Sequence, residues 1–287
     1  MSKSLTGNVA IIGGSLAGLA AGIGLARRGM PVQIFEQNSG EERGGTALGV
    51  DRGLITETTG VDARVDGVTQ ALPVIDEGYR EVSTWLAIYR WLRAVADVTK
   101  GLSLNESARV DLVSSDTHSA HLSGPQVEAS ADVLIGADGY RSLVRRVVSP
   151  TRPFAPYGEF LLWRALVEES WLSKQTLARD SLGGGRSPHP EAARLVVYRV
   201  PGPNGETSAG KRSITLAWYD ASRTQWLRDR GYLVGDEVMG RLSALPLLRG
   251  NLLTEPTNRL GNTGPVSRVC LGTIGDVALL DGLAHRA

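Results

Sequence analysis

The feature that most constrains the fold is a glycine-rich turn between a short apolar run and an Ala- and Leu-rich segment near the amino terminus. The run Val9–Ile12 has the pattern of a buried strand and ends at Gly13. Residues 16–28 have the pattern of a helix that ends at Gly29, and residues 31–36 form a second strand pattern. Strand, helix and strand in this order predict a βαβ unit with parallel strands.

The turn has the small residues that a dinucleotide-binding turn requires. Its residues are Gly13, Gly14, Ser15, Leu16, Ala17 and Gly18. The first small position permits the tight turn, the second lets a pyrophosphate approach the backbone, and the third lets the helix pack on the sheet. Gly13, Ser15 and Gly18 occupy these positions, and the Ser15 hydroxyl could bond a phosphate oxygen. The pyrophosphate would lie at the positive end of the helix.

An acidic residue closes the second strand at the distance expected for a ribose contact. Glu36 follows Gly13 by 23 positions, close to the spacing at which an acid binds a ribose 2′-hydroxyl. A carboxylate there would repel a 2′-phosphate, so FAD or NAD is favoured over NADP at this site. The alternative is that Glu36 only ends a strand.

The rest of the chain predicts an α/β protein with two domains. Residues 84–98 place their apolar side chains on one helical stripe, with Arg90 and Arg93 off it. Further patterns are a hairpin at 109–114 and 118–123, a buried strand at 132–137, a helix at 141–148, longer strands at 160–167, 194–200 and 212–219, a loop at 183–190, a short helix at 224–230 and a strand at 269–271. Residues 37–60 predict a loop with a short element. We expect a Rossmann-like domain with a parallel sheet over 1–150 and a second, mostly antiparallel or mixed sheet domain over 151–264.

Composition excludes several classes of protein. Lys and Arg total 31 against 30 Asp and Glu, so no basic surplus indicates a nucleic-acid partner. The single cysteine, Cys270, permits no internal disulfide and fits a reducing cytoplasm.

The uncharged stretch Val9–Ala26 could be an export signal or membrane anchor, but its five glycines at turn spacing favour the dinucleotide turn and a soluble protein. No cluster of His, Cys, Asp or Glu has metal-ligand spacing, so we expect no metal.

Three segments resemble the FAD-dependent aromatic-ring hydroxylases, the single-component flavoprotein monooxygenases related to p-hydroxybenzoate hydroxylase. They are Val9–Gln37, Ala131–Arg146 with Asp138-Gly139, and Gly275-Asp276 after an apolar strand. Residues 157–164 are similar to the start of the substrate domain in the 2,6-dihydroxypyridine hydroxylase branch. The resemblance implies FAD as cofactor, NADPH or NADH as co-substrate, a small electron-rich aromatic substrate and a possible homodimer. It also implies that residues 265–287 return to the FAD-binding domain.

The resemblance implies a role for individual residues. The pyrophosphate would be held by the turn from Gly13 to Gly18, and the adenosine ribose by Glu36. Asp138 and Gly139 would stand near the pyrophosphate and the path of NAD(P)H, and Asp276 would contact the ribityl chain. Arg90 is a candidate for a flavin-contacting arginine, and Gly49-Val50 resembles the small-apolar pair near the flavin ring.

The sequence departs from that family after Gly275-Asp276, where no proline follows. One alternative is therefore a flavin-binding homologue with incomplete or no activity, and a separate alternative is an NAD-dependent dehydrogenase. No catalytic base is assigned. His118 and His121 fall in the predicted hairpin, His189 and His285 have no supporting pattern, and Tyr198 and Tyr219 lie on strands of the second domain. Substrate identity and the choice between NADH and NADPH stay open.

Overall fold

A computed structural model describes residues 7–40, 47–78, 80–171, 193–222, 224–234, 237–238, 268–273 and 276–280. These residues belong to two compact units. Unit 1 contains 7–40, 51–72 and 86–155, and unit 2 contains 47–50, 73–85 and the described residues from 156 onward.

The elements are numbered in chain order. The strands are β1 Val9–Ile12, β2 Val32–Phe35, β3 Ala47–Val50, β4 Ile75–Asp76, β5 Glu81–Thr84, β6 Leu102–Asn105, β7 Leu112–Ser115, β8 Ala120–Gly124, β9 Val127–Ala131, β10 Val133–Gly136, β11 Leu161–Glu168, β12 Ala193–Val200, β13 Ser213–Asp220, β14 Leu233–Val234, β15 Glu237–Val238, β16 Arg268–Thr273 and β17 Asp276–Leu280. The helices are α1 Leu16–Ala26, α2 Arg52–Thr59, α3 Trp85–Val98, α4 Leu143–Val148 and α5 Thr224–Asp229, and a 3₁₀ turn spans Glu169–Trp171.

Unit 1 is built on a four-stranded parallel sheet with the order β10-β1-β2-β6. β1 pairs with β2 on one side and with β10 on the other, so the predicted βαβ unit is confirmed. α1 packs on this sheet through Leu19 and Ile23, which are fully buried with Ile11 and Ile34. Burial of such side chains stabilises the unit by about 2 kcal/mol each. A Cβ at Gly22 would come within 2.8 Å of the Ile34 side chain, so this glycine lets α1 lie close to the sheet.

A three-stranded antiparallel sheet, β7-β8-β9, completes the core of unit 1. The β7–β8 pair confirms the predicted hairpin. A buried apolar cluster joins it to the parallel sheet and contains Ala10, Phe35, Ala108, Leu122, Val127 and Ala131. The predicted helix α3 is present, and its buried residues include Ile88, Trp91 and Leu92.

Unit 2 is dominated by antiparallel pairing. Its main sheet has the order β12-β13-β11-β16-β17, and a smaller sheet has the order β3-β5-β4. β11 and β13 pair over their full eight residues, from Leu161 opposite Asp220 to Glu168 opposite Ser213. The predicted combination of a parallel sheet with a second, mostly antiparallel sheet is confirmed.

Three segments differ from the sequence prediction or lie outside the described residues. Residues 37–60 contain a strand, β3, and a helix, α2, which Asp51 caps by accepting a hydrogen bond from the Leu54 N–H at 3.0 Å. The structure pairs β16 with β11 in unit 2, whereas the resemblance implies that residues 265–287 return to the FAD-binding domain. An apolar strand can pair with any open sheet edge, and the sequence pattern does not specify which edge. The predicted loop at 183–190 is not among the described residues.

Candidate dinucleotide-binding site

The candidate residues of unit 1 gather at the carboxyl edge of the parallel sheet. Gly13 follows β1, Glu36 follows β2, Glu106 follows β6 and Asp138 lies two residues beyond β10. Because the strands are parallel and adjacent, these four chain segments lie side by side in the order of the sheet. The chain leaves β1 toward β2 on one side and β10 lies on the other, which places a topological switch point beside β1. Ligands of open α/β sheets bind at such points.

The geometry of the turn requires glycine at Gly13 and Gly18. Gly13 has a φ of +104°, and a Cβ there would overlap the carbonyl oxygen of Ala137. A Cβ on Gly18 would overlap the carbonyl oxygen of Gly13, so glycine at this position lets α1 begin directly above the turn. The Gly13 N–H donates to the Phe35 carbonyl at 2.9 Å and the Ala137 N–H donates to the Ile12 carbonyl at 2.8 Å, which fixes the turn between β2 and β10.

Ser15 occupies the N-cap position of α1 with an extended backbone, at φ −84° and ψ −169°. Its carbonyl accepts the first helical bond from Leu19 at 2.9 Å, but its hydroxyl makes no capping bond to the helix. The N–H groups of the first turn have no intrahelical acceptor in any α-helix, and they carry the positive end of the helix dipole. Leu16 and Ala17, half-buried and exposed, belong to this first turn. The helix start is therefore suited to an anion.

The carboxylate of Glu36 is held over the turn. Its Oε2 accepts a hydrogen bond from the Gly14 N–H at 2.9 Å, and its Oε1 accepts one from the Asn38 N–H at 2.9 Å. The Asn38 side-chain amide donates to the same Oε1. A Cβ on Gly14 would lie 2.9 Å from the Cβ of Glu36, so glycine at position 14 allows this approach. The acid predicted from spacing thus contacts the backbone of the predicted phosphate turn.

Asp138 caps α4. Its Oδ1 accepts a hydrogen bond from the Ser142 hydroxyl at 2.6 Å, and its Oδ2 accepts one from the Leu143 N–H at 2.6 Å. Ser142 in turn accepts from the Arg145 N–H at 2.9 Å. Gly139 has a φ of +79°, which supports the sharp bend between β10 and α4. Both carboxylate oxygens of Asp138 therefore serve the local fold beside the turn.

A charged pair lies at the end of β6 and was not predicted from the sequence. Arg93 on α3 donates two parallel hydrogen bonds to Glu106, at 2.6 and 3.0 Å, and its Nε lies 3.3 Å from Asp97. The hydrogen bonds from Arg93 lower the pKa of Glu106, and the same bonds raise the pKa of Arg93. A bidentate pair of this kind is strong and directional. The guanidinium of Arg93 is therefore occupied by carboxylates at the same edge of the sheet as Glu36.

Of the other predicted residues, Arg90 belongs to unit 1, whereas Gly49, Val50, Cys270 and Asp276 belong to unit 2. Arg90 is exposed on α3, one turn before Arg93. Asp276 begins β17 in unit 2, and Cys270 lies in β16. Gly49 and Val50 end β3, where Gly49 is paired with Val82.

The histidine and tyrosine candidates belong to local structures. His121 lies 2.8 Å from Asp116 at the β7–β8 turn, and this contact lowers the pKa of Asp116 to about 2. His118 lies beside Thr117 in the same exposed turn. Arg80 stacks over Tyr198 at 5.5 Å, and Tyr219 meets Phe160 edge to face at 4.8 Å. His189 and His285 lie outside the described residues.

The described part of the chain contains neither a candidate metal-binding cluster nor a candidate membrane-spanning helix. No group of three or more His, Cys, Asp or Glu side chains there could hold a metal ion. None of its helices is long and apolar enough to span a bilayer.

Comparison with known proteins identifies the fold. The 2,6-dihydroxypyridine-3-hydroxylase of Arthrobacter nicotinovorans superposes with a TM-score of 0.60 at 20% identity, over 76% of this chain and 57% of that one. CtdE in complex with FAD and a substrate superposes with a TM-score of 0.52 at 17% identity, over 76% of this chain and 57% of that one. The chain therefore has the fold of the FAD-dependent hydroxylases, and the resemblance read from the sequence is confirmed at the level of the fold.

A curated relative agrees with these structures. Hispidin-3-hydroxylase of Neonothopanus nambi is 30% identical over 188 residues, which cover 56% of this chain and 44% of that protein. The chain thus spans less than half of the length of this relative. No family model matches the sequence.

Proposed function

We propose that unit 1 binds FAD at the carboxyl edge of its parallel sheet. The observation that carries this proposal is the hydrogen bond between Glu36 and the Gly14 N–H, which joins the ribose acid to the phosphate turn. The turn has the small residues that a pyrophosphate requires, and α1 presents the positive end of its dipole there. CtdE, which shares this fold, is known in complex with FAD.

The residues of the edge fit the parts of the cofactor. Gly13, Ser15 and Gly18 would hold the pyrophosphate against the start of α1, and Glu36 would accept a hydrogen bond from the adenosine ribose. Arg93 is occupied by Glu106 and Asp97, so this guanidinium is not available to a ribose 2′-phosphate. This favours an unphosphorylated ribose, as in FAD. Asp138 would fix the start of α4 beside the pyrophosphate.

We further propose that the intact protein is a monooxygenase that hydroxylates an electron-rich, hydroxylated aromatic or heteroaromatic ring with NAD(P)H and O₂. Two similar proteins support this reaction class, since one is a 2,6-dihydroxypyridine-3-hydroxylase and the other a hispidin-3-hydroxylase. Bound FAD would supply the redox chemistry, accepting a hydride from NAD(P)H and activating O₂. The protein would bind and orient the ring, exclude water and accept the proton of its hydroxyl group. The antiparallel sheet of unit 2 is the proposed substrate-binding part.

The test of the cofactor is an absorbance spectrum of the purified protein, recorded with and without added FAD. Flavin bands that survive desalting are the expected result. A protein that stays colourless after incubation with FAD, but binds NADH, would overturn the proposal in favour of a dehydrogenase.

The test of the activity is NAD(P)H oxidation by the FAD-loaded protein, with a panel of hydroxylated pyridines and phenols. Oxidation stimulated by one ring, together with a product heavier by one oxygen atom, is the expected result. Bound FAD without such turnover would favour the second candidate, a flavin-binding protein without hydroxylase activity. The absence of a proline directly after Gly275-Asp276 is the observation that favours this second candidate.

The proposal extends to the domain organisation, the cellular location and the oligomeric state of the protein. We propose an FAD-binding domain over 1–150 and a substrate domain over 151–264, which limited proteolysis would test. We also propose a cytoplasmic location and a homodimer, which cell fractionation and sedimentation would test.

A further inference from the structure

Asn38 holds the carboxylate of Glu36 by two bonds to one oxygen. The backbone N–H of Asn38 lies 2.9 Å from Oε1 of Glu36, and its side-chain amide donates to the same atom at 2.5 Å. Within the described residues, the other oxygen, Oε2, accepts a single hydrogen bond, from the Gly14 N–H at 2.9 Å. The two oxygens thus have different partners, one in the segment after β2 and one in the phosphate turn.

The segment that carries Asn38 is itself fixed by the neighbouring strand end. The Ala108 N–H donates to the Glu36 carbonyl at 2.8 Å, and the Ser107 N–H donates to the Asn38 carbonyl at 3.2 Å. Ser107 has a φ of +54°, so the chain after β6 turns sharply to make these bonds. Asn38 therefore has a fixed backbone from which its amide reaches Glu36.

These contacts leave one acceptor site on the carboxylate. A carboxylate has about four lone-pair sites over its two oxygens. Three hydrogen bonds use three of them, two on Oε1 and one on Oε2. The remaining site is on Oε2, the oxygen next to the turn, where a ribose hydroxyl would donate.

We propose that Asn38 is a positioning residue that fixes Glu36 so that Oε2 alone receives the ribose hydroxyl of FAD. This inference rests on the proposed function, because it concerns the same site. Asn38 does not contact the ligand in this proposal and acts only through the orientation of Glu36. Without the amide of Asn38, the flexible glutamate side chain loses one of the two bonds that hold Oε1.

The test measures the FAD dissociation constant by quenching of flavin fluorescence, and the unfolding temperature of each apoprotein. Asn38→Ala removes the amide and should weaken FAD binding about tenfold. Asn38→Asp keeps the shape but sets a second carboxylate against Glu36, and should weaken binding more, by about 30-fold. Gln37→Glu is the matched control, since it adds the same charge on a neighbouring exposed residue and should change the constant less than about twofold.

A double-mutant cycle separates positioning from a purely structural role. In a Glu36→Ala background, both Asn38 substitutions should leave the FAD dissociation constant unchanged, because the group they position is absent. A lower unfolding temperature with an unchanged dissociation constant in the single variants would overturn the inference. Equal losses of affinity with and without Glu36 would also overturn it. A wild-type protein that does not bind FAD would instead overturn the proposed function, and this inference with it.

Discussion

The carboxylate of Glu36 lies 2.9 Å from the backbone nitrogen of Gly14, although 22 residues separate them in the chain. The two residues stand at the ends of neighbouring parallel strands, β2 and β1, so strand pairing alone brings them together. The bond links the two halves of the proposed dinucleotide site, the turn proposed for the phosphates and the acid proposed for the ribose.

Replacing Glu36 should weaken FAD binding without unfolding the protein. Glu36→Ala removes a charged hydrogen-bond acceptor, so we expect the FAD dissociation constant to rise about 10- to 100-fold. Fluorescence quenching titrations would measure it. Glu128→Gln, a change at an exposed acid on β9, is the control and should behave as the wild type. Wild-type affinity in Glu36→Ala would show that the ribose does not lie on this carboxylate.

Two glycines, Gly18 in the first turn of α1 and Gly29 after its end, should respond differently to alanine. In Gly18→Ala the new methyl group would overlap the Gly13 carbonyl, which is held by the strand ends, so we expect a loss of about 3 kcal/mol and no FAD binding. Gly29 has a φ of +86° and open space around its Cβ position, so Gly29→Ala should cost only about 1 kcal/mol of backbone strain. Urea unfolding and FAD titration would measure both. FAD binding by Gly18→Ala at wild-type affinity would exclude this turn as the phosphate site.

The sequence predicts the centre of the site because its geometry is local or follows from one strand pair. Gly13, Gly18 and Glu36 are placed by a strand, a turn, a helix and the next strand, all of which have clear periodicity. The Arg93–Glu106 pair depends on how α3 lies against the end of β6, which no spacing rule specifies. A signal did exist, since Arg93 lies one turn after Arg90 on the same polar side of α3, but the sequence does not say which of the two meets an acid.

The position of the last strands and the role of Asp138 show a different limit. The apolar run in β16 predicts a strand, and the strand is present, but apolar alternation does not state which sheet edge it joins. The Asp-Gly pair after β10 predicts a turn, yet the use of Asp138 as a helix cap depends on Ser142 and the start of α4. In both cases the sequence gives the element and tertiary pairing decides its partner.

The capping bonds predict that Asp138 supports stability. Asp138→Ala would remove the acceptors of the Ser142 hydroxyl and the Leu143 N–H, so we expect a loss of about 1–2 kcal/mol in urea unfolding. Asp138→Asn keeps one acceptor oxygen and should lose less. With saturating FAD, the alanine variant should still bind the cofactor if the residue acts mainly through α4. Unchanged stability would show that α4 needs no cap from this residue.

The final prediction concerns acid stability in unit 2 and follows from a buried glutamate. The Glu169 side chain is only 4% exposed and receives hydrogen bonds from Arg212 at 2.6 and 2.9 Å and from the Gly210 N–H at 2.7 Å. The hydrogen bonds from Arg212 hold the pKa of Glu169 below its ordinary value of 4.5.

A carboxylate with a lowered pKa in the folded state stabilises the fold above its unfolded pKa, and this stability is lost as pH falls through the folded pKa. Glu169→Gln should therefore be less stable at neutral pH, by about 3 kcal/mol, because the charge of Arg212 loses the carboxylate to which it donates two hydrogen bonds. It should also lose less stability than the wild type between about pH 5 and about pH 2. Urea unfolding across this range, with Glu128→Gln as control, would measure both effects. Parallel acid profiles for Glu169→Gln and the wild type would show that another carboxylate controls the acid transition.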